Sequence, residues 1–156
     1  MISLIQRVAE ASVKTGGVVV GAIGPGLVAL LAVEPGDSAE TGRRLIDRIL
    51  AYRVFSDADG KMNLSLRDTG GSLLLISQFT LAADTRKGLR PSFTSAASPE
   101  VGRQLFEQCL TYAEELLPGK VATGRFGADM QVALVNDGPV TFWLQIPTRS
   151  ANEGAE

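Results

Sequence analysis

The sequence contains no histidine and a single cysteine, Cys109. Without histidine there can be no Ser-His-Asp triad and no imidazole zinc centre. One thiol excludes both an internal disulfide and a multi-cysteine metal site, and it fits a reducing cytoplasm. There is no long hydrophobic run either. The longest, residues 27–33, is far too short to cross a bilayer, and the first residues lack the apolar core of a signal peptide. Nor is there an excess of positive charge. The net charge is -2, so the chain is not a general nucleic-acid binder, and RNA contact would need a local basic patch. No repeat or low-complexity block is present. Any catalysis must run through hydroxyls, backbone amides, carboxylates or the substrate itself.

The 156 residues suit one domain, long enough to bury about 70% of its unfolded surface. Residues 2–9 and 12–15 read as strand, Gly16-Gly17 as a hairpin turn, and 18–23 as its return. Residues 27–33 form an unbroken apolar run, as in a strand buried on both faces. Asp37 with Glu40 three residues on predicts a capping box for a helix ending near Tyr52. Val54-Phe55 is a short strand. Asp57-Ala58-Asp59-Gly60 resembles the start of a calcium loop but lacks the later ligands, so a plain turn is the expectation. Residues 73–81 are the next strand, 82–98 a long loop, and 99–117 a helix. Residues 130–135 and 140–146 are the last strands, and the tail from 147 to 156 is expected to be disordered. This order predicts a mixed α+β domain, an antiparallel-rich sheet or open barrel with two main helices, over residues 1–146.

Several short words could carry chemistry, and each has a plainer reading. Cys109 lies on the helical stripe Val101, Leu105, Cys109, Tyr112, Leu116, which makes it a core residue rather than a reactive thiol. Arg86, Lys87 and Arg90 form either a solvated loop or a phosphate-contacting one. Phe126 and Met130, spaced by small residues, suit a turn entering the core or a purine pocket. Asp137-Gly138 between two strands is the usual hairpin dipeptide. Pro139 directly after it removes an amide donor, and Asn136 and Thr141 can brace a strained turn. Ser77-Gln78-Phe79-Thr80 is either an alternating strand face or a polar strand end, where sites collect.

Together these words resemble one family, D-aminoacyl-tRNA deacylase, over about the first 146 residues. The matching segments include Ile5-Gln6-Arg7-Val8, Gly24-Pro25-Gly26-Leu27 and Gly60-Lys61-Met62-Asn63-Leu64-Ser65. Ser77-Gln78-Phe79-Thr80-Leu81, Asp84-Thr85-Arg86-Lys87-Gly88 and Arg90-Pro91-Ser92-Phe93 follow. Ala122-Thr123-Gly124-Arg125-Phe126-Gly127-Ala128-Asp129-Met130 and Val135-Asn136-Asp137-Gly138-Pro139-Val140-Thr141 complete the set. The chain departs at Leu89, which lowers the charge of the basic loop, at Ala82, where an aromatic is common, and in its longer tail. Ser77 and Phe79 favour this family over its relative that edits a misacylated L-amino acid.

The resemblance implies a cytoplasmic homodimer that hydrolyses the ester of D-aminoacyl-tRNA, and of mischarged glycyl-tRNA, and spares L-aminoacyl-tRNA. It implies aminoacylated tRNA as partner, with no metal, no cofactor, no membrane and no DNA. The site is expected at the subunit interface, where a cis Gly138-Pro139 peptide enters the partner's pocket beside Ser77, Gln78, Phe79 and Thr80. Asn136 and Thr141 would support that peptide. Phe126 and Met130 would hold adenine, and Arg86, Lys87 and Arg90 the phosphates. Thr80 is a candidate nucleophile or a positioning group. The competing readings are a non-catalytic nucleic-acid-binding homodimer and an esterase or peptidase acting on small molecules.

Overall fold

The computed structural model describes residues 1–148. Of the expected tail only Pro147 and Thr148 are therefore covered, and 149–156 lie outside the described residues. The first strand is one unbroken element, β1 (Ile2–Thr15), rather than two. Gly16-Gly17 turns it into β2 (Val18–Ile23), and β3 (Gly26–Ala32) follows. The chain then forms α1 (Ala39–Ala51), a small ribbon of β4 (Phe55–Ser56) and β5 (Met62–Leu64), and the one-turn α2 (Leu66–Thr69). After these come β6 (Ser72–Ser77), α3 (Pro99–Leu116), β7 (Val121–Thr123) and β8 (Gln131–Gln145).

The strands join as β2-β1-β3-β6-β7, with β8 on the remaining edge of β1. β1 is antiparallel to β2, β3 and β8, but β3–β6 and β6–β7 are parallel. The sheet is thus mixed rather than antiparallel-rich. The cause is that β3 reaches β6, and β6 reaches β7, through helical crossovers, and such connections return a strand in the same direction. β2 also approaches β7, which curls the sheet almost into a barrel.

Period-2 alternation in β3 feeds two cores. Leu27, Ala29 and Leu31 face α1 and α3, while Val28 faces the barrel interior with Val8, Val13, Leu74 and Ile76. α1 buries Leu45, Ile46, Ile49 and Leu50, the stripe its sequence predicts. Its cap differs from expectation. Ser38 is the N-cap, in a capping box with Thr41. Asp37 instead binds the Met1 ammonium at 2.9 Å and accepts the Glu34 amide at 2.7 Å. That ammonium also reaches Glu34 (2.9 Å) and donates to Ile146 O (2.9 Å), so the two described ends of the chain are tied together. Burial is the main cause that pushes the Asp37 carboxyl above the usual range, and its hydrogen bonds and the ammonium oppose that shift.

α3 is rotated from its expected face. It buries Gly102, Leu105, Phe106, Cys109 and Ala113, while Val101 and Leu116 are exposed. Cys109 is a core residue. Burial, the largest cause, and Asp37 push its thiol up to about 12, and its Sγ lies 3.9 Å from Met1 Sδ. The two helices meet where α1 carries Gly42. A methyl there would stand 2.6 Å from Cys109 Sγ, so glycine sets the approach. Gly42→Ala is expected to lower stability in urea melts by about 1–3 kcal/mol. Adding Cys109→Ala should recover part of that loss, because the methyl then fills space left by the sulfur. A Gly42→Ala chain as stable as the parent would contradict this contact.

Candidate active site

The Asp137-Gly138 dipeptide does not make a hairpin. β8 runs through it as one strand paired with β1 on both sides. Gln6 pairs with Thr141 and Val8 with Asn136, so two steps along β1 correspond to five along β8. The surplus, residues 137–140, is looped out of the ladder as an elbow. Pro139, which cannot donate to a ladder, sits where none is needed. The Gly138–Pro139 peptide is cis. Gly138 has φ +140°, and a methyl on it would lie 2.6 Å from Val140 Cγ2 and 2.9 Å from Val140 N. Only glycine fits there.

Side chains from both strands hold the elbow. Asn136 Oδ1 accepts the Val140 amide at 3.0 Å, and Asn136 Nδ2 donates to Thr141 Oγ1 at 2.9 Å. Arg7 donates from Nε to Asp137 O at 2.9 Å and from Nη1 to Val54 O at 2.8 Å. The sequence reading assigned Arg7 no role of its own. A usable signal was present, since strand alternation places Arg7 on the face of buried Ile5, and a charge facing inward must have partners.

The second polar word is not strand throughout. β6 ends at Ser77, and Phe79–Ala82 form a 3-10 turn entered through Gln78. The Gln78 amide is already engaged, donating to Leu31 O at 2.8 Å. The amides of Phe79 and Thr80 begin the turn and have no hydrogen-bond acceptor among the described residues, as expected for the first donors of a helical turn. Thr80 Oγ1 accepts a hydrogen bond from Gln78 Nε2. That partner is a donor, so it cannot take the hydroxyl proton.

Two hollows flank this turn and share Ser77, Gln78, Phe79, Phe126 and Gly127 as walls. One, of about 240 Å³, is completed by apolar groups including Leu31, Val33, Pro99 and Phe106. The other, of about 220 Å³, is completed by Ile76, Ala128, Met130 and Val132. Phe126 is fixed between the Phe106 ring (6.0 Å between centroids) and the Arg103 guanidinium (5.0 Å from the centroid). Met130 Sδ accepts the Arg125 amide at 3.4 Å. Phe126 and Met130 therefore stand beside the 77–79 segment, on a shared wall.

The basic loop leaves this turn directly. Phe93 packs on Phe79 with centroids 5.3 Å apart, and Ser95 Oγ donates to Ala82 O at 2.8 Å. The expected plain turn at Asp57 is present, with Asp57 Oδ1 accepting the Asp59 and Lys61 amides at 2.9 and 3.0 Å.

The elbow and the 77–80 turn are not neighbours within one chain. Ser77 is level with Leu31, Ser3 and Leu144, whereas the elbow leaves the sheet at the level of Arg7 and Leu27. Four residues along β1 and three strand spacings across the sheet put them on the order of 18 Å apart.

The D-Tyr-tRNA(Tyr) deacylase family matches residues 4–145. A D-aminoacyl-tRNA deacylase of Methylococcus capsulatus is 62% identical over 94% of this chain and 95% of its own length. One of Xanthomonas campestris is 61% identical over 93% of this chain and 99% of its own. Among solved structures, a c-Myc DNA unwinding element binding protein superposes with a TM-score of 0.90 at 37% identity, covering 94% of this chain and 99% of that one. A probable eukaryotic D-amino acid tRNA deacylase shares the fold, with a TM-score of 0.80 at 17% identity over 93% of this chain and 98% of that one.

Proposed function

The chain belongs to the D-Tyr-tRNA(Tyr) deacylase family and hydrolyses the ester of D-aminoacyl-tRNA as a proofreading step, and from that premise we propose a site built across two subunits. The observation that carries this reading is the separation just described. The elbow stands roughly 18 Å from the turn of its own chain, so it can border a site only by entering that of a second copy. Among the described residues the outer edge of β8 is unpaired, and this strand exposes apolar surface at Val135, Phe142 and Trp143. An unpaired, apolar edge of this length favours burial against a partner.

In this arrangement the ester carbonyl lies at the 77–80 turn. The amides of Phe79 and Thr80 receive the oxyanion, each such donor typically contributing about 2.7–4 kcal/mol to the barrier reduction. Gln78 supports the turn through Leu31 O and through its side-chain bond to Thr80. Ser77 ends the strand that carries the turn. Adenine packs against Phe126 and Met130. Lys87 and Arg90, on the loop anchored by Phe93, reach the phosphates of the single-stranded end.

Chirality is read by exclusion. The partner's elbow presents rigid backbone at Gly138 and Pro139 to the α-carbon, and Arg7, Asn136 and Thr141 fix it there. An L side chain strikes this backbone, whereas a D side chain points away. A thousandfold bias corresponds to about 4 kcal/mol. A side-chain pocket gives about 1–3 kcal/mol per methylene and would restrict the enzyme to one amino acid. Exclusion leaves the side chain unread, so many D-amino acids pass. Glycine passes as well, because it has nothing to clash.

Water activation is assigned to the substrate. No base accepts the Thr80 proton, and the 2′-hydroxyl of the terminal ribose stands beside the reacting ester. Held geometry of this kind can contribute about 7–11 kcal/mol. Thr80 is then a positioning group.

Three outcomes test this. D-Tyr-tRNA and Gly-tRNA should be hydrolysed and L-Tyr-tRNA spared, and a glycyl ester as resistant as the L-ester would refute the exclusion filter. Thr80→Ala should keep substantial activity while a 2′-deoxy substrate is cleaved poorly; near-total loss in a folded Thr80→Ala protein would return the nucleophile role to Thr80. Trp143→Asp should yield a folded monomer by sedimentation and circular dichroism that lacks hydrolysis. A fully active monomer would rule out the two-subunit site.

A further inference from the structure

The basic loop contains its own counter-charge. Asp84 Oδ1 accepts the Arg86 amide at 3.0 Å and Arg86 Nε at 2.9 Å, and Asp84 Oδ2 accepts Arg86 Nη2 at 2.8 Å. One bidentate edge of the guanidinium, Nε with Nη2, is therefore taken by a carboxylate of its own loop, which also neutralises its charge. Asp84 is itself held in place. Its amide donates to Ser92 O at 2.7 Å and its carbonyl accepts the Ser92 amide at 3.1 Å, which closes the loop at its base. Through Phe93 on Phe79, that base is fixed to the reacting turn. Lys87 and Arg90 are exposed and make no ion pair or side-chain hydrogen bond among the described residues. Arg86 holds the Asp84 carboxyl well below the usual carboxylate range, so the pair stays charged throughout the neutral pH range.

We propose that Asp84 is an affinity-setting residue for tRNA: it keeps Arg86 out of phosphate contact, so the loop grips the 3′ strand with two charges, Lys87 and Arg90, instead of three. This rests on the deacylase reading and deepens it. The consequence for turnover is release. A proofreading hydrolase must let go of deacylated tRNA, and each phosphate contact on a single strand adds about 0.7 to the slope of log affinity against log salt. A third contact would tighten binding about fivefold at about 0.1 M salt.

The test uses filter binding of deacylated tRNA to the full-length protein across a salt series. Asp84→Asn is the informative change, because asparagine keeps an oxygen for the Arg86 amide and loses only the charge. It should bind about fivefold tighter with a slope steeper by about 0.7, and the KM for D-Tyr-tRNA should fall with it. Asp84→Asn/Arg86→Gln should return affinity and slope to the parent values, whereas Lys87→Gln and Arg90→Gln should each weaken binding by about the same factor. If the double variant binds as weakly as Lys87→Gln, Arg86 already touches phosphate and the proposal fails. It fails equally if neither Lys87→Gln nor Arg90→Gln changes binding, because the loop is then not the contact. Hydrolysis of D-Tyr-tRNA by the parent, measured alongside, separates either failure from a failure of the deacylase reading.

Discussion

The site depends on how β8 is held to β1. On each side of the elbow the two strands pair antiparallel, with a second register shift between Val8 and Glu10 beside it, and between the flanks residues 137–140 are looped outward. A four-residue loop on a strand would ordinarily be free to move. Here Arg7 ties it to the body of the protein through Asp137 O, while its other arm is fixed on Val54 O, and Asn136 closes the loop from within. The Arg7 side chain is only 15% exposed, so the bond to Val54 O forms where water competes poorly, while the bond to Asp137 O lies nearer the surface. Charge-assisted bonds of that kind contribute roughly 1.5–3 kcal/mol each. The filter proposed for this elbow works by collision and has to be stiff, and these bonds would supply its stiffness.

The chemistry follows from what surrounds the 77–80 turn. A hydrolase usually places a base next to its nucleophile. Here the available groups are donors: two amides at the start of a 3-10 turn and the Gln78 side-chain amide, which donates to Thr80 Oγ1. Such a site can stabilise negative charge but cannot remove a proton. An aminoacyl ester on ribose already carries a vicinal hydroxyl, so the protein needs only to orient it. The missing histidine and the donor-rich turn thus both fit the substrate-assisted mechanism proposed above.

What the sequence revealed tracks how local the cause is. The apolar stripe of α1 and the two-faced burial of β3 come from periodicity alone, and both were legible. The words 77–80 and 136–141 were also visible as polar breaks. Their shapes were not. Asp137-Gly138 reads as a hairpin because turn chemistry is local, whereas the pairing of both flanks with β1 is decided more than a hundred residues away. The parallel pairs β3–β6 and β6–β7 were missed for the same reason: direction is set by the crossover. Asp37 has the right spacing for a helix cap, yet an ammonium thirty-six residues away claimed it and Ser38 took over. Arg86 counted as a free cation in the sequence, although a carboxylate two residues earlier pairs with one edge of its guanidinium.

The proposed placement of filter and turn on different subunits has a physical rationale. A backbone segment that approaches an α-carbon closely must be rigid and must have no side chain in the way. Within one sheet, the strands beside β6 are β3, which is paired on both edges by β1 and β6, and β7, which is only three residues long. Neither can present a looped-out peptide without losing pairing at the edge of the core. β8 can, because its outer edge is free and β1 holds it on either side of the break. The one strand able to carry the elbow is therefore the one too far from its own turn to use it. The symmetric association proposed above would resolve this, since each copy would supply the wall that the other lacks.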